Sequence, residues 1–177
     1  GPDLFDRAQA NPYATPPFST AKNLIFVGMS HLDDNFLRIA ADLFPQYYFH
    51  IIGPFQSHKK QANLIFYGVR RFEETISYIK YADAGLQIRT FVPFAETLSD
   101  SLKYQQYTYC QLPIIAPDYM RSNKPHVFYY KDNDASSIKS SVESALRFDR
   151  NAIPRHKVQS WDEIVDSMIA SVSPHEL

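Results

Sequence analysis

The stretch LIFVGMSHLDDNFLRIAADLFPQYYFHIIG, residues 24–53, decides the fold. LIFVG (24–28) is a short, continuous apolar run stopped by glycine, the mark of a strand buried on both faces rather than one. DDNFLRIAADLF then sets Phe36, Leu37, Ala40, Ala41 and Phe44 at helical spacing, with Asp33 or Asp34 placed to cap the helix start. YYFHIIG (47–53) is a second buried strand, again ended by glycine. Strand, helix and strand with uninterrupted apolar strands predict a parallel sheet covered on both sides.

The same alternation continues outward. NLIFYG (63–68) reads as a strand, and FEETISYIKYA as a helix with Phe72, Thr75, Ile76 and Ile79 on one stripe. DAGLQIR (83–89) is a fourth strand, followed by an irregular loop and then a helix within SDSLKYQQYTYC. In that helix Leu98, Leu102 and Tyr109 are expected to pack inward. PIIAP (113–117) and HVFYY (126–130) supply two more strands. DASSIKSSVESALRF is an amphipathic helix through Ile138, Val142, Ala145 and Leu146, and a last helix is expected near 161–171 on Trp161, Ile164, Val165, Met168 and Ile169. The expected fold is α/β: a Rossmann-like parallel sheet of about six strands with helices on both faces. Residues 1–23, rich in Pro, Ser, Thr and Asn, read as an irregular linker. Residues 24–150 form the sheet domain, and 151–177 a C-terminal linker and helix packing on it.

Bulk properties narrow the function classes. The 177 residues suffice for one domain with a sizeable core. A net charge of −1 gives no electrostatic case for nucleic acid as the main partner. One cysteine, Cys110, excludes an internal disulfide framework and fits a reducing compartment. No apolar run approaches the roughly 20 residues that span a bilayer.

In a doubly wound sheet, ligands sit beyond the carboxyl ends of the strands. That rule selects four places. VGMSH (27–31) sets Gly28, Ser30 and His31 after the first strand, either as a tight turn or as a close approach to a ligand; no G-x-G-x-x-G is present. In YGVRR (67–71), Arg70 either joins a solvated charge network with Glu73 and Glu74 or turns its planar fork to a carboxylate or phosphate. Arg89 closes the fourth strand, facing solvent or a ligand. In SDSLKYQQ (99–106), Thr97 or Ser99 can cap the helix, Lys103 adds a mobile positive charge near its start, and Gln106 lies on the same face.

Read in order, NPYA, VGMS, LFPQYYFHIIG, LIFYG, TISYIKYA and DSLKYQQYTYCQLPIIAP resemble the C-terminal, donor-binding half of GT-B glycosyltransferases of the xanthan-type glucuronosyltransferase kind. The likeness runs over about residues 11–150, and YIKYA and the S-x-K-x-x-Q-Y helix before a Leu-Pro turn are its most specific pieces. It implies that Lys103 neutralises the diphosphate of a nucleotide sugar, with Ser101 near the same phosphates and Gln106 on the ribose. Met29 and Ser30 would border sugar and phosphate, and Val69 and Arg70 the nucleotide side. The family member compared has an acidic residue and a methionine at the places of Val69 and Arg70, a tyrosine near Arg89, and a methionine for Leu102.

The resemblance further implies metal-independent transfer from a UDP-sugar, UDP-glucuronate included, to a saccharide or lipid-linked acceptor in bacterial polysaccharide biosynthesis. No cofactor is expected, and the sequence has no D-x-D element. The acceptor-activating base is expected in an N-terminal half that this chain lacks, so the chain alone is expected to be inactive. The expected location is cytoplasmic, or peripheral at the inner face of the plasma membrane. The alternatives are a sugar-nucleotide epimerase half-domain, drawing an acid and base from His31, Asp33 and Asp34, and a non-enzymatic flavodoxin-like interaction domain.

Overall fold

Six strands pair in parallel throughout, in the order β3-β2-β1-β4-β5-β6. They are β1 (Asn23–Val27), β2 (Tyr48–Ile52), β3 (Leu64–Phe66), β4 (Ala84–Leu86), β5 (Ile114–Pro117) and β6 (Val127–Tyr130). The helices are α1 (Asp3–Arg7), α2 (Asp34–Leu43), α3 (Phe72–Tyr81), α4 (Leu102–Tyr109) and α5 (Ala135–Arg147). The computed structural model describes residues 3–8, 10–56, 61–91 and 102–155. The chain builds outward from β1 to β3, then returns to lay β4 on the other side of β1. The strand order therefore reverses between β1 and β4, and that crevice is where such sheets bind ligands.

The sheet is two-sided, as the apolar runs require. Leu24, Phe26, Phe49, Ile51, Ala84 and Leu86 pack on one face with α2 and α5, through Phe36, Leu37, Ala40, Ile138 and Val142. Ile25, Ile52, Ile114 and Ala116 pack on the other with α1, α3 and α4, through Phe5, Ile76, Ile79, Tyr104 and Tyr107. Neighbours along a strand point to opposite faces, so a strand buried on both sides has no polar alternation to display. Burying each large apolar side chain is worth about 1.5–3 kcal/mol, which outweighs any of the surface ion pairs. Asp33 caps α2 by accepting the Phe36 N–H at 2.9 Å, and Asp134 caps α5 by accepting that of Ser137 at 3.0 Å.

Three expectations are corrected. The first 23 residues are not merely irregular: Asp3–Arg7 is helical, and Phe5 and Tyr13 are buried. Tyr13 donates its hydroxyl to the Tyr78 carbonyl at 2.9 Å, and Lys80 donates to that of Ala8 at 2.6 Å. Single aromatic anchors and carbonyl contacts fasten a segment whose composition is that of a loop. Phe72 does not complete the inward stripe of α3; it is exposed, while Thr75, Ile76 and Ile79 are buried. In α4 the inward face is Tyr104, Tyr107 and Thr108, and Leu102 is half exposed. Tyrosine replaces leucine inside because its hydroxyl finds a carbonyl: that of Tyr107 donates to Ile25 O at 3.2 Å. Leu98 and the helix expected at 161–171 lie outside the described residues.

Glycine sets how closely α4 approaches. A Cβ on Gly85 in β4 would stand 2.5 Å from the ring of Tyr107. Only a residue without a side chain lets that ring lie flat on the strand.

Candidate functional site

The carboxyl end of β1 is built for close approach. Gly28 donates its N–H to Ile52 O at 3.0 Å, holding the first residue beyond the strand against β2. A Cβ at Gly28 would meet the ring of Phe26 at 2.7 Å and the Nζ of Lys103 at 3.0 Å. The ammonium of Lys103 is thus seated at the end of β1. It lies 4.4 Å from the centre of the Phe26 ring, a cation–π contact. Phe26 belongs to the α2/α5 face, whereas Lys103 starts from α4 on the opposite face. The lysine therefore reaches over the carboxyl edge of the sheet, across the point where strand order reverses.

No carboxylate among the described residues lies within ion-pair distance of Lys103. Burial, and then the positive charge of Arg89, push its pKa down to about 8. Both causes act against the charged form. The ammonium has an aromatic face beneath it, a second cation beside it, and no described counter-ion.

Arg89 approaches from the end of β4. In this strand Ala84, Leu86 and Ile88 pack toward α2 and α5, so Gly85, Gln87 and Arg89 take the α4 side. Its backbone is fixed from two directions. An isolated antiparallel bridge pairs Arg89 with Leu32 in the β1–α2 loop, and Thr90 donates to His31 O at 2.9 Å. The hydroxyl of Tyr119 donates to the Arg89 carbonyl. The side-chain Nε is buried without a hydrogen-bond partner. Two residues nearer the core, Gln87 is only 2% exposed, and its Oε1 is also unpartnered. Sequence reasoning missed Gln87; its signal was a lone amide inside an otherwise apolar strand.

The remaining sequence candidates spread along the same edge. Met29 and Val69 are 66% and 59% exposed. Ser30 is exposed, and Gln106 is partly buried one turn after Lys103. Arg70 stands 4.0 Å from Glu74, the solvated network that its spacing allowed. Glu74 also accepts the Arg71 N–H at 2.9 Å, closing the start of α3. Ser101 and the helix-capping candidates Thr97 and Ser99 lie outside the described residues.

Of the acid–base candidates after β1, Asp33 is fully engaged. One oxygen caps α2, and the other accepts the buried Tyr130 hydroxyl at 2.8 Å. Asp34 pairs with Arg38 at 3.5 Å, and His31 is exposed with a φ of 58°. Among the described residues no group of three or more His, Cys, Asp or Glu could hold a metal ion, and no helix is long and apolar enough to cross a membrane. A cavity of about 190 Å³ lies at the opposite, amino edge, where α3 and α4 end, lined by Phe5, Lys80, Tyr109 and Arg155 among others. It is remote from the two converging cations. Cys110 borders it, with burial pushing its thiol up to about 12, where it is unreactive.

No protein-family profile matches the chain. Over 156 residues it is 27% identical to a UDP-glucuronate:glycolipid 2-beta-glucuronosyltransferase from Xanthomonas campestris pv. campestris, covering 86% of this chain and 38% of that protein. Among solved structures it is similar to a glycosyltransferase from Rickettsia africae ESF-5, with a TM-score of 0.67 and 16% identity over 97% of this chain and 54% of that one. The fold also matches a UDP-GlcNAc 2-epimerase from Methanocaldococcus jannaschii, with a TM-score of 0.53 and 12% identity over 95% of this chain and 48% of that one. The chain spans about two fifths of the length of its curated relative. It has the Rossmann-like fold of one half of a GT-B glycosyltransferase, and in sequence it resembles a glucuronosyltransferase.

Proposed function

We propose that the chain is the donor-binding half of a bacterial glycosyltransferase that uses a UDP-sugar, with UDP-glucuronate the first donor to try. The observation that carries this reading is the ammonium of Lys103, seated against Gly28 at the strand-order reversal with no carboxylate among the described residues to neutralise it. A cation held there suits the diphosphate of a nucleotide sugar. As the sugar carbon departs, negative charge grows on that diphosphate. A positive charge already in place stabilises it without reorganisation. Gln106, one turn on, is assigned to the ribose, and Ser101 to the phosphates. Met29 and Ser30 border the sugar, and Val69 and Arg70 the nucleotide. In this reading Lys103 serves where other enzymes use a metal ion, and a partner half supplies the base that activates a saccharide or lipid-linked acceptor.

The engagement of Asp33 supports transfer over epimerisation, because it removes one of the three groups on which an epimerase reading of this segment depends. Titrating the 177-residue chain with UDP and UDP-glucuronate, followed by NMR, tests the proposal. Shifts should centre on Gly28, Arg89 and Lys103. Lys103→Ala should weaken UDP binding by about 1.5–3 kcal/mol, the scale of a hydrogen bond to a charged group. Unchanged affinity, or shifts gathered at the amino edge of the sheet, would overturn it.

A further inference from the structure

Arg89 is set apart from the other basic side chains named along this edge. Arg70 spends its guanidinium on Glu74 at the surface, and Arg121 lies over the ring of Tyr129 at 4.8 Å. Arg89 instead has a buried Nε with no partner, on a backbone fixed by Leu32, His31 and Tyr119. A buried donor left unpaired is costly and rare in folded proteins. Here it stands near a second cation that also lacks a described counter-ion. Two like charges brought together at a preformed ledge repel each other until something doubly negative lies between them.

The alignment of α4 on β4 explains why they meet. Tyr107 lies against Gly85, and Lys103 precedes Tyr107 by one helical turn on the same face. Helix and strand run in opposite directions, as a strand–helix–strand connection in a parallel sheet requires. One turn back along α4 therefore corresponds to the next upward-facing positions of β4, first Gln87 and then Arg89. The lowering of the Lys103 pKa by Arg89 is the electrostatic trace of the same proximity.

We propose that Arg89 and Lys103 together hold the two phosphoryl groups of a diphosphate, so that this site selects ligands with two adjacent phosphates over ligands with one. The inference rests on the nucleotide-sugar reading above and adds to it the residue that counts phosphates. Lys103 supplies a point charge to either phosphate, and the planar fork of Arg89 takes the second.

Isothermal titration of the 177-residue chain with UDP, UMP and inorganic pyrophosphate tests this. The parent should bind UDP at least about tenfold more tightly than UMP, the scale of one charge-assisted contact. Arg89→Gln should weaken UDP and pyrophosphate about tenfold or more while leaving UMP within about twofold, and Arg89→Lys should recover part of the loss. The side-chain Nε has no partner to lose, so both variants should keep the parental thermal midpoint and circular dichroism. A UDP-to-UMP ratio that Arg89→Gln leaves unchanged would overturn the inference. If Lys103→Ala then still abolishes UDP binding, the donor-domain reading stands without it. Failure of the parent to bind UDP, UMP or pyrophosphate would overturn both.

Discussion

Replacing Gly85 by alanine puts the packing of α4 on the sheet to a direct test. The added methyl would lie 2.5, 2.6 and 2.8 Å from three carbons of the Tyr107 ring. The ring cannot easily yield. Tyr107 is fully buried, and its hydroxyl donates to Ile25 O at 3.2 Å, with Leu86 O at 3.4 Å. Overpacking of this kind costs about 1–3 kcal/mol. If the ring tilts to escape, loss of its hydroxyl contact adds about 0.5–1.5 kcal/mol. The expected destabilisation is about 2–4 kcal/mol. With a urea slope near 2 kcal/mol/M, the midpoint should fall by about 1–2 M.

Equilibrium urea unfolding of parent, Gly85→Ala, Tyr107→Ala and the double variant would measure it. Tyr107→Ala alone should cost about 3–5 kcal/mol by leaving a cavity. With the ring gone, the alanine methyl meets open space, so the double variant should be destabilised by clearly less than the sum. Additive effects, or a Gly85→Ala midpoint within about 0.2 M of the parent, would refute the account of why α4 sits where it does.

Two predictions concern protonation. Lys103 titrates near 8 in the empty site, against a model-peptide value of about 10.4, so its charge is lost as pH rises through 8. UDP affinity should therefore fall between pH 8 and 9.5, while a Lys103→Arg variant, charged throughout, should stay nearly flat; calorimetry at three pH values decides it. His50 is fully buried, and desolvation pushes its pKa down to about 3. The amide nitrogen of Asn23 is engaged by Phe18 O and Ala21 O, so its oxygen accepts from His50 Nε2–H, and Nδ1 accepts from the Tyr67 hydroxyl. The unfolded state, titrating near 6.5, binds the extra proton, so this histidine's contribution is complete above 6.5 and is lost as pH falls from there toward 3. NMR should show a neutral Nε2–H ring down to about pH 4; titration near 6.5 would disprove the network.

The sheet was readable in the sequence because its strands bury both faces. LIFVG and PIIAP leave little room for another periodicity, and Asp33 and Asp134 mark where the helices begin. The inward face of α4 was not readable. A stripe of leucines is the usual guide, but here tyrosines go inside, since each ring's hydroxyl can meet a carbonyl that only the folded sheet supplies. Arg70 and Arg89 look alike in the sequence, each closing an apolar run. Their different fates depend on neighbours far away in the chain: Arg70 has Glu74 within reach, whereas Arg89 is gripped by the loop after β1 and by Tyr119. Gln87 passed unnoticed for the same reason.

The ion pair between Asp6 and Arg155 joins residues 149 positions apart, and both meet Tyr109 at the last turn of α4. That corner stands about 9 Å along the helix axis from Lys103, at the other rim of the sheet. A fluorophore or surface tether attached beside it would leave the cleft unobstructed. The molecule thus offers a handle for immobilised binding measurements on the side where its phosphate-seeking charges are not.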